Sequence, residues 1–270
     1  MTVTSESYAS GLGRACGGAL LFGFPLLMTM EMWQLGFYMP AWRLALFLCL
    51  GLPLIYGLTY YAGFRRTKSR RDDMMDAFAA LAVGFVISAV AMAVFGLIGP
   101  HKPFEANVGM VALQGVPAAM GAVLARKQFA GQGGEGSGDN EASATYRGEL
   151  FLMTAGALFL AFNVAPTEEM ILIGFLMTPW HSALLIIATL LTLHLVVFRL
   201  GFAGQEAHEN ARQAFFDFTL PGYAIAMIVS AYVLWSFGRF DGLSAGEMIA
   251  AVVVLAFPAA LGAALARLVV

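Results

Sequence analysis

The sequence predicts an all-α polytopic membrane protein of about eight transmembrane helices, arranged as two parallel four-helix repeats. Three observations predict it. Of 270 residues, 60% are hydrophobic and only 12% are charged, whereas a soluble domain carries about 25% charged and about 45–50% apolar residues. The excess apolar surface must face lipid. Eight stretches then hold the roughly 20 mostly apolar residues that a membrane-crossing helix needs. Finally, a segment rich in Gly, Ser and acidic residues divides the chain into halves that match one another.

The predicted spans are 15–38, 43–64, 75–99, 106–126, 150–177, 182–202, 216–237 and 245–268. The first follows MTVTSESYASGLGRACGG, with Arg14 before the apolar run. An acidic residue interrupts that run and no small-residue cleavage site clearly follows it, so it reads as a span rather than a cleaved signal peptide. The first and fifth spans are long and must be tilted, broken, or continued into the interface. The second leads into a basic loop, Arg65, Arg66, Lys68, Arg70 and Arg71. With Arg14, Arg126, Lys127, Arg147, Arg199, Arg212 and Arg267, twelve of the fifteen basic residues fall on one side, leaving Arg43, Lys102 and Arg239 for the other. The positive-inside rule then expects both termini in the cytoplasm. Trp33, Tyr38, Trp42, Trp180 and Trp235 form an aromatic belt at the outer ends. Asp72, Asp73, Asp76 and Asp217 open the third and seventh spans, where acidic side chains favour the helix dipole. Cys16 and Cys49 lie in apolar runs and read as small buried hydrophobes, not as a disulfide framework.

The segment 129–147 has no apolar face to bury and reads as a flexible cytoplasmic linker between repeats at 1–128 and 148–270. At an offset of 138, Gly18-Ala19-Leu20 matches Gly156-Ala157-Leu158, and the match continues with Phe24/Phe162, Thr29/Thr167, Glu31/Glu169, Gly36-Phe37/Gly174-Phe175, Met39/Met177, Trp42/Trp180 and Gly63-Phe64/Gly201-Phe202. At an offset of 141, Pro117-AAMGAVLA-Arg126 matches Pro258-AALGAALA-Arg267 in eight of ten residues. Four spans per copy is an even number, so both copies enter the membrane in the same direction. That makes a parallel repeat about an axis along the membrane normal. The segments LLMTMEMWQLGFYMP, TYYAGFRR and APTEEMILIGF resemble a family of uncharacterised bacterial integral membrane proteins. The resemblance covers essentially the full chain and implies a multi-pass location in the bacterial inner membrane and the fold, but no activity.

Chemistry in such a chain begins with its ionisable residues. Glu31 in FPLLMTMEMWQLGF, and Glu168 and Glu169 in NVAPTEEMILIGF, have apolar neighbours. A charge at mid-bilayer costs about 2.5–3.5 kcal/mol even on insertion scales, so each carboxylate must be neutralised, paired or hydrated. All three suit cation or proton movement, and recurrence of Glu31 as Glu169 doubles the motif. Thr29, Thr167 and Asn163 offer neutral oxygens nearby, and Pro25 and Pro166 can break their helices and free backbone carbonyls. The plainer alternative is that these carboxylates sit nearer the outer interface, solvated or fixing packing.

Other residues carry less. His194 in the sixth span is either a proton relay or a neutral residue bonded across helices, the second being simpler. His101 and His181 fall at outer edges. Arg199 can snorkel to the interface, with Asp217 or Glu206 as imagined counter-ions. Met28, Met30, Met32 and Met39 with the cysteines permit soft-metal ligation, but they have no counterpart cluster in the second half and read as packing. No HExxH, GxSxG or P-loop occurs, and the linker's GQGGEGSG is low-complexity sequence, so no enzyme, cofactor or nucleic-acid partner is expected. The expected function is translocation of a small cation or proton by a secondary transporter or channel, with Glu31 and Glu169 as a paired intramembrane site across the repeat axis. The alternative is a non-transporting scaffold or sensor module.

Overall fold

The computed structural model describes residues 5–62, 70–128, 145–199 and 211–269. Arg65, Arg66, Lys68, Glu206, the Gly63-Phe64/Gly201-Phe202 match and most of the linker lie outside the described residues, as do the side chains of Arg126, Lys127, Arg199 and Arg267. Among the described residues every regular element is a helix. Chain contacts divide the molecule into two units, Met1–Asn140 and Glu141–Val270.

The first unit holds α1 (Ser5–Leu27), α2 (Met30–Tyr38), α3 (Ala41–Ala62), α4 (Arg70–Val94) and α5 (Phe104–Gln128). Helix α5 is its centre and packs against each of the other four. Every residue from Ala112 to Val123 is buried, as expected of a helix apolar on all sides. Small residues permit the close approach. A Cβ on Gly121 would strike the Gly18 carbonyl of α1, and one on Gly84 of α4 would lie 2.6 Å from the Gly115 carbonyl. Helix α4 turns Phe78, Val86, Val90 and Val94 outward. Positions spaced by four or eight residues share one helix face, and such an apolar stripe is tolerable only against lipid.

The second unit holds α6 (Tyr146–Val164), α7 (Glu168–Leu176), α8 (Pro179–Arg199), α9 (Ala211–Ala214), a π-helical turn (Phe215–Thr219) leading into α10 (Leu220–Ser236), and α11 (Ala245–Val269). Thr145 caps α6 by accepting from the Gly148 amide at 3.2 Å. Ser244 and Glu247 form a capping box that starts α11: the Ser244 amide donates to Glu247 Oε2 at 2.6 Å and the Glu247 amide to Ser244 Oγ at 3.4 Å. Here α11 is central, packing against α6, α7, α8 and α10. Gly156 and Gly262 meet backbone to backbone, so a Cβ on either would strike the other's carbonyl. Leu184, Ile187, Leu191 and Leu195 make an exposed apolar face on α8.

Among the described residues seven helices are long and apolar enough to cross a membrane, and an eighth span arises if α1 and α2 are counted together. The eight expected spans therefore have their counterparts, with two changes of shape. The spans expected at 15–38 and 150–177 are each interrupted, giving α1–α2 and α6–α7. The span expected at 75–99 ends at Val94, where Gly96 (φ +68°) closes the helix and the Leu97 amide donates to the Met92 carbonyl at 2.8 Å. This is a Schellman-type ending that needs a left-handed residue. Gly238 (φ +70°) closes α10 identically, with the Arg239 amide on the Leu234 carbonyl at 2.8 Å. Replacing Gly96 or Gly238 by Ala should cost about 1–2 kcal/mol each, measurable as a lowered unfolding temperature.

The two endings are offset by 142 residues, whereas Arg71/Arg212 and Asp76/Asp217, at the other end of the same helices, are offset by 141. Asp217 and Gly238 are thus one residue further apart than Asp76 and Gly96. The π turn straddles Asp217, with the Leu220 amide bonded to the Phe215 carbonyl five residues back. Widening one turn takes up a residue without breaking the helix.

Candidate functional site

The candidate site is the break between α1 and α2 and its sequence-matched counterpart between α6 and α7. In the first, the helix ends at Leu27 and restarts at Met30, and the two axes meet at 82°. Pro25 removes one amide from the closing turn, and Thr29 adopts an extended conformation (φ −89°, ψ 117°). In the second, Pro166 cannot donate back into α6, and Thr167 is likewise extended (φ −72°, ψ 144°). Each threonine hydroxyl donates to the carbonyl three residues earlier: Thr29 to Leu26 at 2.7 Å and Thr167 to Val164 at 2.8 Å. The lone pairs of both hydroxyl oxygens remain as acceptors. Nine-residue α2 and α7 are about 13–14 Å long, too short for a hydrocarbon core of about 30 Å. Helices of 23 residues (α1) and 19 residues (α6) reach about 34 and 28 Å and nearly cross it unaided.

Packing fixes the level of the breaks. Gly36 of α2 lies against the start of α5, where a Cβ would sit 2.7 Å from Met110 Cα. Gly174 of α7 lies against the start of α11, with a Cβ 3.4 Å from the Ala251 amide nitrogen. Both short helices thus pack against the first third of their central helix. Given the 82° bend, α2 climbs only roughly 2 Å along the direction of α1. Glu31 is therefore near the level at which α3 starts.

Glu31 lies in the first turn of α2 and is half-buried, while Glu168 and Glu169 occupy the first turn of α7 and are exposed. The N-terminal dipole favours a negative charge at all three places. Among the described residues none of the three has an ion pair or a side-chain hydrogen bond. Asn163, one turn before the second break, donates its amide to the Phe159 carbonyl at 2.7 Å. Thr29 and Glu31 thus come together in the first unit, and Asn163, Thr167, Glu168 and Glu169 in the second. No group of three His, Cys, Asp or Glu able to hold a metal occurs among the described residues.

A cation from the loop after α4 lies against α2. Lys102 donates to the Leu97 carbonyl at 2.6 Å and lies 5.6 Å from the Trp33 ring and 5.3 Å from the Phe37 ring, both on α2. Trp33 is two residues beyond Glu31, about 200° round the helix, so Lys102 holds the aromatic face and leaves the carboxylate unpaired. Asn107 fastens the same loop, donating to the Gly99 carbonyl at 2.9 Å and accepting from the Gly99 amide at 3.3 Å. His194 bonds across helices, its Nδ1 lying 2.9 Å from Thr219 Oγ1 and its ring edge-on to Phe215. His181 accepts from the Thr178 amide at 3.2 Å at the exposed start of α8. Sequence reasoning missed Gln114, a buried amide of α5 that donates to the Gly23 carbonyl of α1 at 2.9 Å. Its signal was a lone amide in an otherwise apolar run.

A search of curated proteins and of solved structures finds no match to the chain. A family model described as "Putative integral membrane protein (DUF2391)" matches residues 11–270. That match, spanning nearly the whole chain, agrees with the lipid-facing stripes of α4 and α8: the chain belongs to the DUF2391 family of integral membrane proteins.

Proposed function

We propose that the protein translocates a small cation or proton across a bacterial inner membrane, as a transporter or channel. In this reading Glu31 and Glu169 take up the ion at the two helix breaks. Glu168 adds charge, and Thr29, Thr167 and Asn163 supply neutral oxygens. One observation carries the reading: carboxylates with no ion pair or side-chain hydrogen bond among the described residues stand at sequence-matched breaks in both units. An unpaired carboxylate there attracts positive charge, and a broken helix places backbone carbonyls beside it, as in broken-helix transporters. The two units are read as duplicated copies in parallel orientation. The shared residues, the matching threonine bonds and the matching glycine-closed helix ends all support that reading. The bias of basic residues supports cytoplasmic termini, which places α2 and α7 at the outer face. The reading assigns the protein no catalytic residue and no resident cofactor.

A specific observation also favours a non-transporting scaffold or sensor: Glu168 and Glu169 are exposed, so helix-end solvation and dipole stabilisation alone can account for them. Uptake by proteoliposomes separates the two. A panel of monovalent and divalent cations is offered with and without a pH gradient. Translocation predicts flux of at least one cation that depends on pH, since protons and cations compete for the same carboxylates. Tight vesicles under every condition would leave the scaffold.

A further inference from the structure

Within the first unit, reaching the end of α1 at Leu27, a small cavity lies between Ala19, Gly23 and Leu27 of α1, Ile87, Ser88 and Ala91 of α4, and Gln114 of α5. Its interior, about 10 Å³, is of the size that a single water molecule needs. Leu20 and Phe24, both exposed on their outer faces, complete its lining. Ser88 is 3% exposed and Gln114 1% exposed. Ser88 Oγ and Gln114 Oε1 are both buried without a hydrogen-bond partner. The orientation of the amide is fixed by its other end, since Nε2 donates to the Gly23 carbonyl at 2.9 Å, and a flipped amide would set two oxygens face to face. Buried polar atoms in folded proteins are almost always hydrogen-bonded. Two orphaned oxygens lining one cavity therefore call for a shared partner.

The partner's chemistry follows from what surrounds it. Gln114 Oε1 only accepts, so the partner must donate, and the Ser88 hydroxyl can donate to it in return. A bare cation would need about six oxygens and would bury an unpaired charge among alanine and isoleucine side chains. A water molecule fits the volume, the neutrality and the donor–acceptor pattern. We propose that a structural water bridges Ser88 Oγ and Gln114 Oε1. Through the Gln114–Gly23 bond this water ties α1, α4 and α5 together next to the end of α1. The site belongs to one unit only. Leu255 stands 141 residues after Gln114, whereas Ser230, 142 residues after Ser88, is again buried with an unpartnered hydroxyl. The second unit thus has the hydroxyl without the amide and provides an internal control.

The test is thermal unfolding of the full chain in nanodiscs, for Ser88→Ala, Gln114→Leu, the double variant, and Ser230→Ala. Each single change in the first unit should lower Tm by about 2–4 °C or more. The double variant should fall no further than the worse single one, because removing either oxygen already releases the water. Ser230→Ala should leave Tm unchanged or slightly raised. Additive losses, or equal effects of Ser88→Ala and Ser230→Ala, would overturn the proposal. A density map of the unaltered protein provides a check that needs no variant. It should contain a peak about 3 Å from both oxygens, unchanged when sodium is exchanged for potassium or choline. An empty cavity, or a peak that follows the cation, would equally overturn it.

Discussion

Glu31→Gln and Glu169→Gln are each expected to reduce cation flux at least about tenfold, which corresponds to about 1.4 kcal/mol, while the folded protein remains abundant. The magnitudes separate this outcome from a structural role. Both carboxylates lie in the first turn of a short helix, with no ion pair or side-chain bond among the described residues. Their contribution to stability is then confined to the helix dipole, about 0.3–1 kcal/mol, and glutamine keeps the side-chain volume. A variant that loses flux but keeps its unfolding temperature has lost a binding group. A variant that loses yield and melts early has lost a packing element, and the scaffold reading would gain. Glu168→Gln should have the smaller effect, because its match in the first unit is Met30. Thr29→Val should weaken transport and also destabilise the break, since it removes the bond to Leu26.

The largest stability effect is expected where the central helices meet α1 and α6. Gly156→Val or Gly262→Val would drive a side chain into the facing backbone carbonyl. A flexible side chain could swing away, but a helix carbonyl cannot. The cost should reach about 3 kcal/mol or more, at or above the upper end of typical overpacking, and appear as loss of folded protein after solubilisation. The matched pair Gly36 and Gly174 gives a finer contrast. A Cβ at Gly36 would come within 2.7 Å of Met110 Cα, whereas one at Gly174 would sit 3.4 Å from the Ala251 nitrogen, in ordinary contact. Gly36→Ala should destabilise. Gly174→Ala should be neutral or stabilising by up to about 1 kcal/mol, the helix-propensity gain of alanine over glycine.

The membrane body was legible in the sequence because apolar composition and span length answer directly to the thickness of the bilayer. The breaks were legible as excessive length at 15–38 and 150–177, but their form was not. In the first unit the proline stands three residues before the break, and in the second it stands inside it, at the position matched by Met28. Proline in a helix permits an interruption nearby, and packing of Gly36 and Gly174 on the central helices decides where the chain turns. The level of the carboxylates followed from that turn, and hydropathy alone does not carry it. Lys102 was assigned to an outer end, but its seat over Trp33 and Phe37 is a tertiary contact between residues about seventy positions apart. Gln114 escaped because attention to ionisable side chains passes over a neutral amide, although any polar group in an apolar span must find a partner. The π turn was written in the sequence as a slip from 141 to 142 between the halves, visible only once both ends of the helices were anchored.

Cation-dependent thermal stability of the purified protein, compared with the Glu31→Gln/Glu169→Gln double variant, bears most directly on the claim that the two breaks hold a cation. Chlorides of lithium, sodium, potassium, magnesium and calcium would be titrated against choline. At a hundred times its dissociation constant, a ligand bound only by the native state stabilises it by about 2.7 kcal/mol. The account predicts that at least one cation raises the unfolding temperature of the unaltered protein and fails to raise that of the double variant. Identical responses from the two proteins, or no response from either, would contradict it.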